Sequence, residues 1–289
     1  MADDLATALR TATARLAAAG VPSPRADAEA LAAHLLATSR GQVLALALRG
    51  APAPHGYEEL VARRAARTPL QHLTGRAAFR TVELAVGPGV FVPRPETEVT
   101  AGLAVQAAQR VAASGASPLV VDLCTGSGAI ALAVATEVSG ARVHAVELDP
   151  AAHAWALRNL AGSGVRLHLA DAASALPELD GAVDVVVSNP PYVPPGAVPR
   201  EVEVREHDPA RALYGGGPDG LDVPRAVVAT AARLLRPGGV VAVEHAEVQQ
   251  EALLALLGAP SWVGAVGHAD LAGRPRCVVA QRTGSPAPR

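Results

Sequence analysis

The chain contains no lysine: all 25 of its Lys-plus-Arg positions are arginine. Against an alanine-rich background this reads as coding bias, not function. A large excess of one charge sign is lacking too. The formal net charge is −2, so no basic field marks a stable nucleic-acid partner. Cysteine is limited to Cys124 and Cys277, far apart and without metal-ligand spacing. That excludes a disulfide framework and points to a reducing compartment. No apolar run reaches the roughly 18 residues of a membrane span. The first residues, Met-Ala-Asp-Asp, are acidic with no basic stretch leading into an apolar one. A soluble, cytoplasmic protein with no membrane partner is the expectation. Aromatics are 2% of the chain, so Phe79, Phe91, Tyr192 and Tyr214 stand out. No internal repeat or low-complexity linker occurs. What is abundant is aliphatic: half of 289 residues are hydrophobic, enough core for one large or two modest domains.

The first 75 residues read as a small helical domain. Leu5, Leu9 and Leu16 keep helical spacing until Gly20 and Pro22. Ser23-Pro24 opens a second helix, with Ser as N-cap and Pro at the first helical position; its apolar face includes Leu31, Leu35 and Leu36. An apolar segment over 43–48 and a helix over 55–67 follow. This domain shows no chemistry, and packing or partner recognition is its expected role. Near residue 76 the pattern shifts to alternating β and α. Residues 77–92 alternate and are broken by Gly87-Pro88-Gly89, which predicts a β-hairpin or two short strands. In Phe91-Val-Pro-Arg-Pro-Glu-Thr-Glu98, two prolines stiffen a loop around Arg94. The loop is either a capped linker or a presentation of Phe91 and Arg94 to a substrate. The boundaries drawn are 1–75 helical substrate-recognition domain, 76–95 hairpin linker and 96–282 catalytic domain, with a frayed tail over 283–289.

Val120-Val-Asp-Leu-Cys-Thr-Gly-Ser-Gly128 is a buried strand running into a Gly-rich turn and an apolar helix. Glycines let a ligand approach the backbone, and a helix start offers N–H groups. The spacing differs from the dinucleotide fingerprint Gly-x-Gly-x-x-Gly, which disfavours a nicotinamide oxidoreductase. A second strand ends at Glu147, about 20 residues on, where a carboxylate can take both ribose hydroxyls. A third ends at Asp171, positioned to accept from an adenine amino group. A fourth, over 183–188, ends at Asn189. Strand, Gly loop, strand-acid, strand-acid, strand-Asn: this order fits an adenosyl cofactor across the strand ends, and S-adenosyl-L-methionine is inferred.

The fourth strand runs into Asn189-Pro190-Pro191-Tyr192. The prolines fix their own φ and donate no hydrogen bond, giving a stiff corner where ligands bind in open α/β sheets. The Asn oxygen and a nearby backbone carbonyl can each accept one N–H of a planar –NH2 group, and Tyr192 can pack on its flat face. An amide or an aromatic amine suits that clamp; an ammonium group does not. The plain alternative is a Pro-rich turn with Asn as turn former. The long stretch 193–221, rich in Gly, Pro and charge, is expected to wall the substrate side. Glu244-His245 reads as an ordinary strand end.

Together these segments resemble the peptide chain release factor glutamine methyltransferases. The match rests on Pro69-Leu-Gln-His-Leu-Thr-Gly75, Val92-Pro-Arg-Pro-Glu-Thr-Glu98, Asp122-Leu-Cys-Thr-Gly-Ser-Gly-Ala-Ile-Ala131, Asn189-Pro-Pro-Tyr192 and the Arg205 to Leu221 loop with its Ala-Leu-Tyr-Gly-Gly. The resemblance implies an α/β, seven-stranded Rossmann-like S-adenosylmethionine-dependent methyltransferase fold, its last strand antiparallel, with a small N-terminal helical domain. It implies methylation of the Gln side-chain amide in the Gly-Gly-Gln loop of class 1 peptide chain release factors. Cys124, Thr125, Gly126, Ser127, Gly128, Glu147, Asp171, Ala172 and Asn189 then fall on cofactor positions. Phe91, Arg94, Asn189, Pro190, Pro191 and Tyr192 fall on substrate positions, with Asn189, Pro190 and Tyr192 closest to the chemistry and no metal. Three departures stand out. Cys124 replaces a common Gly. Ala172 replaces an aromatic that often covers the adenine. Glu244-His-Ala lacks the usual Gly. Ribosomal-protein Gln and an adenine amino group are the alternative substrates. A cofactor-binding module that has lost catalysis is the alternative class.

Overall fold

A computed structural model describes residues 4–284; the predicted frayed tail lies, from residue 285 on, outside the described residues. The chain forms two compact units. One is the chain up to Arg76 plus Pro199–His207. The other is Ala77–Val198 plus the chain from Asp208 onward.

The first unit is helical: α1 (Leu5–Ala18), α2 (Pro24–Leu35), α3 (Arg40–Leu48), α4 (Tyr57–Ala65) and α5 (Leu70–Thr74). Asp4 caps α1 by accepting from the Thr7 N–H at 2.9 Å. Ser39 and Gln42 form a capping box on α3. Ser23 occupies the N-cap of α2 but makes no side-chain bond there; Pro24 alone pre-sets that first turn. Leu5, Leu16, Leu31, Val43 and Val61 are fully buried and form this unit's own core. Leu35 and Leu36 are only partly buried against it. Arg64 is a buried cation in this unit. It donates to Asp27 at 2.7 Å and to Glu203 at 2.8 Å. Arg67 grips the same Glu203 through two nitrogens at 2.8 and 2.6 Å. This ion cluster ties the returning segment Pro199–His207 into the helical unit.

The second unit opens with a hairpin, β1 (Arg76–Phe79) and β2 (Val82–Ala85). Its turn is Arg80-Thr81. Gly87-Pro88-Gly89 follows the hairpin and does not divide it. Asn159 clamps Ala85 by both backbone groups, at 2.8 and 2.9 Å. A Cβ on Gly87 would stand 2.7 Å from the Trp155 ring. The hairpin is therefore built into this unit. Next come α6 (Thr97–Ala113), β3 (Leu119–Leu123), α7 (Ala129–Glu137), β4 (Arg142–Glu147), α8 (Pro150–Asn159), β5 (Arg166–Leu169) and β6 (Val183–Ser188). The stretch read as one long loop carries two short helices, α9 (Val202–His207) and α10 (Ala210–Leu213). The chain closes with α11 (Asp222–Leu234), β7 (Leu235–Glu244), α12 (Gln250–Leu256), β8 (Trp262–Ala269) and β9 (Pro275–Arg282).

Seven strands form one sheet in the order β5-β4-β3-β6-β7-β9-β8. β5, β4, β3, β6 and β7 are mutually parallel, and β9 lies antiparallel between β7 and β8. β3 and β6 are buried on both faces, which is why they read as continuous Val and Leu. Successive residues serve opposite cores. Val120, Val185 and Val187 pack with α6, α7 and α8; Val121 and Val186 pack with α11 and α12. Helices on both faces leave the carboxyl ends of the parallel strands as the open rim. Among the described residues no single helix is long and apolar enough to cross a membrane.

Candidate active site

The strand order reverses direction between β3 and β6, the position where open α/β sheets bind ligands. The Gly-rich turn leaves β3 there and Asn189 leaves β6, paired strands that end at Leu123↔Ser188. The turn is held from within. Asp122 is buried and accepts from the Thr125 hydroxyl at 2.5 Å and the Ala131 N–H at 3.1 Å. Burial pushes its carboxyl up to about 7. Its Oδ1 is buried with no partner among the described residues. Thr125, Gly126 and Gly128 donate their N–H groups to Val146 O, Glu147 Oε2 and Thr125 O. The ring of free amides expected from the helix start is therefore largely engaged inside the protein.

The two glycines differ. Gly128 (φ +85°) would place a Cβ 3.0 Å from Leu160, so it serves packing, whereas Gly126 (φ +59°) opens onto free space. Cys124 adopts φ +61°, a left-handed conformation that costs a non-glycine residue about 1 kcal/mol. That conformation is why glycine suits the position. Ser127 is buried, and its carbonyl accepts from Asn159 at 2.9 Å. Glu147 is buried; its oxygens accept from the Gly126 and Asp149 N–H groups at 2.8 and 2.7 Å. Burial raises its pKa against those bonds, and each oxygen keeps a further lone pair for a hydroxyl. Asp171 is exposed, one oxygen accepting from Ala173 N–H at 2.8 Å. Ala172 is buried in the α11 core. An unpaired buried acceptor, an open glycine and a carboxylate with spare lone pairs fit a cationic, hydroxyl-bearing adenosyl cofactor.

Across the switch point, Asn189 is half-buried and donates its Nδ2–H to Thr97 Oγ1 at 3.1 Å. The Thr97 hydroxyl donates to Glu244 Oε1 at 3.2 Å, and Thr100 donates to Glu244 Oε2 at 3.1 Å. The Tyr192 hydroxyl also reaches Glu244 Oε1, at 3.4 Å. Glu244 is 1% exposed. Burial raises its carboxyl to about 7, while the threonine bonds and Arg276 pull the other way. Among the described residues no donor meets Asn189 Oδ1 or the Pro190 carbonyl.

The corner is buttressed from below. Leu213 O accepts from the Tyr192 and Val193 N–H groups at 3.1 and 2.7 Å, and Gly215 N–H returns to Val193 O at 3.1 Å. Gln249 donates to both Tyr192 O and Asp219 O at 2.8 Å. A Cβ on Gly215 would lie 2.6 Å from Pro191 O, and one on Gly220 2.3 Å from Tyr192 O. The segment expected as a substrate wall divides in two: 199–207 belongs to the helical unit, and 208–221 props the Asn-Pro-Pro-Tyr corner. Arg94 donates to the buried Asp208 at 2.5 Å and lies 4.9 Å from the Phe91 ring centre. Its charge is thus satisfied within the protein. Sequence reading passed over Thr97, Thr100, Glu244 and Gln249. Thr97 lay in view inside Pro-Arg-Pro-Glu-Thr-Glu, but Glu244 looked like any strand end.

The sheet order, the Gly-rich turn and a methyltransferase-domain family model over residues 120–202 define an S-adenosylmethionine-dependent methyltransferase. A PrmC N-terminal domain model matches residues 7–75. The release factor glutamine methyltransferase of Streptomyces coelicolor is 53% identical, over 94% of this chain and 95% of its own. That of Mycolicibacterium smegmatis is 51% identical, over 96% and 98%. A 4-amino-L-phenylalanine/4-methylamino-L-phenylalanine methyltransferase of Streptomyces pristinaespiralis is 43% identical, over 96% and 93%. The chain belongs to the release factor glutamine methyltransferase family.

Proposed function

We propose that this enzyme methylates the side-chain amide nitrogen of the Gln in the Gly-Gly-Gln loop of class 1 peptide chain release factors. The observation that carries the reading is the pair of unpaired acceptors at the corner, Asn189 Oδ1 and the Pro190 carbonyl. Each accepts one N–H of the substrate's planar –NH2 group, so the nitrogen's remaining electron density points one way. The Tyr192 ring, held at its hydroxyl end by Glu244, packs on the flat face, and Pro191 keeps the corner stiff. Phe91 and Arg94 line the approach, with Arg94 anchored by Asp208. On the cofactor side, the Cys124–Gly128 turn takes the methionine portion, Glu147 the ribose hydroxyls, and Asp171 with Ala172 the adenine edge. The cofactor supplies an electrophilic methyl on a sulfonium. An amide nitrogen is a poor nucleophile, so the protein's contribution is positioning and electrostatics. The amide proton leaves to water after transfer, and no side chain is assigned as base.

The test is methyl transfer from labelled S-adenosylmethionine to a purified class 1 release factor, wild type against a Gln→Ala change in its Gly-Gly-Gln loop. Label on the wild type alone is expected. Label on both, or on neither while cofactor still binds, overturns the reading. An aromatic amine meets the same clamp, and the 4-amino-L-phenylalanine methyltransferase relative makes that amino acid the control substrate.

A further inference from the structure

We propose that Thr97 and Glu244 are positioning residues that set the direction of the Asn189 amide, turning its oxygen, not its nitrogen, toward the substrate. The inference rests on the amide-methylation reading above and goes beyond it. An Asn side chain is nearly symmetric in shape. Rotated by half a turn it offers two donors where it offered an acceptor. Rotated that way, Asn189 would set N–H against N–H and repel a substrate amide. Its direction is therefore a requirement of the chemistry, and something in the protein has to impose it.

The constraint originates at Glu244. An ionised carboxylate only accepts. Three hydroxyls converge on this one: Thr97 at 3.2 Å, Thr100 at 3.1 Å and Tyr192 at 3.4 Å. Thr97 has a single hydroxyl proton and gives it to Glu244. Its oxygen can then only accept from Asn189, which presents Nδ2–H at 3.1 Å. That leaves Oδ1 facing outward. Burial makes the chain of bonds strict: Thr97 is 4% exposed, Thr100 0% and Glu244 1%, so water does not scramble the donors. Burial raises the Glu244 carboxyl to about 7, and the threonine bonds and buried Arg276 oppose that shift, so the constraint is complete above that pH. The same carboxylate orients Tyr192, so one buried group sets both the amide clamp and the ring that covers it. Thr97 and Thr100 sit on α6, Asn189 directly follows β6, and Glu244 ends β7.

The test compares Thr97→Val, which keeps the shape and deletes the hydroxyl, with Thr97→Ser, which restores it. Thr97→Val is expected to lower kcat by about 10- to 100-fold through misplacement of the reacting nitrogen, with the cofactor Kd within about twofold. Thr97→Ser is expected to recover most of the loss. Glu244→Gln should lower kcat in the wild-type background and lower it less in the Thr97→Val background, because the loss through Asn189 is shared and only the loss through Tyr192 is added. Direction itself is read with a release factor whose loop carries Glu in place of Gln. A flipped Asn189 donates, so inhibition by the Glu form should strengthen about fivefold against Thr97→Val relative to wild type. Should Thr97→Val fail to fold, Thr97→Cys, a weak donor and acceptor of similar size, takes its place with the same expected direction. Wild-type kcat in a folded Thr97→Val, or unchanged preference between the Gln and Glu forms, overturns the proposal. Failure of the wild-type enzyme to label any release factor overturns the underlying reading instead.

Discussion

Gly220→Ala is the substitution whose effect the geometry states most directly. Gly220 has φ +75°, and a Cβ there would stand 2.3 Å from Tyr192 O and 2.8 Å from Pro194 N. Ordinary contact begins near 3.4 Å. Neither neighbour is a flexible side-chain end; both are backbone of the corner that carries Asn189 and Pro190. The corner must retreat by about 1 Å, and a misplacement of that size costs about 10²-fold in rate. The left-handed backbone adds about 1 kcal/mol of strain whatever the space. Gly273→Ala separates the two effects, because Gly273 has φ +79° with nothing within 4 Å of its Cβ. The expected result is a Tm loss in both variants, larger in Gly220→Ala, and a kcat loss of about 100-fold in Gly220→Ala alone. Cofactor affinity, measured by calorimetry, should stay within about threefold, since the Gly-rich turn hangs from β3 and not from this corner. A folded Gly220→Ala with kcat within threefold of wild type would refute the argument that 208–221 positions the corner.

Three further outcomes follow from charge and burial. Burial raises Asp122 and Glu244 to about 7, so the native state holds protons that the unfolded chain releases above about pH 4. Stability should therefore fall as pH rises from about 4 to 7 and level off above, by on the order of 3 to 4 kcal/mol per group at most. His144, His168 and His245 are lowered by burial and act with the opposite sign. The difference in urea midpoint between wild type and Glu244→Gln across pH 5 to 8 isolates the carboxyl; a difference that stays constant with pH contradicts it. For Glu203, burial acts to raise the pKa, yet Arg67 and Arg64 hold it down to about 2. Removing that carboxylate by Glu203→Ala leaves buried Arg64 with Asp27 as its one acid partner among the described residues and should cost about 3 kcal/mol by denaturant melt. A loss under about 1 kcal/mol would show the cluster to be solvated. Cys277 is fully buried, and burial pushes its thiol up to about 12, so it should not react with iodoacetamide at pH 8 until the protein is unfolded, whereas the partly exposed Cys124 is the thiol that reacts first. Rapid native alkylation of Cys277, read by mass spectrometry, would contradict that burial.

Much of this protein is decided by local sequence. Doubly buried strands must be apolar throughout, and β3 and β6 were legible as Val-rich runs for that reason. Gly after a strand, an acid at the end of the next, and Asn-Pro-Pro-Tyr after a fourth mark the rim where ligands bind, because each is tied to one strand's end. Gly87-Pro88-Gly89 has the composition of a strand break, yet the turn falls at Arg80-Thr81, where Arg80 takes φ +50° and its guanidinium grips Glu137 at 2.8 and 2.6 Å. That partner is 57 residues away, outside any local pattern. The same is true of the site's inner layer. Asn189, Thr97 and Glu244 are separated by 92 and 147 residues, and nothing near Glu244 in the chain shows that three hydroxyls will turn toward it. Gly215 and Gly220 could be read as turn residues, but only tertiary packing shows them pressed against the carbonyls of Pro191 and Tyr192. Residue types and strand periodicity determine which groups reach the rim. The direction in which a near-symmetric amide faces is decided by buried acceptors brought from elsewhere in the chain, and that is a property of the folded structure alone.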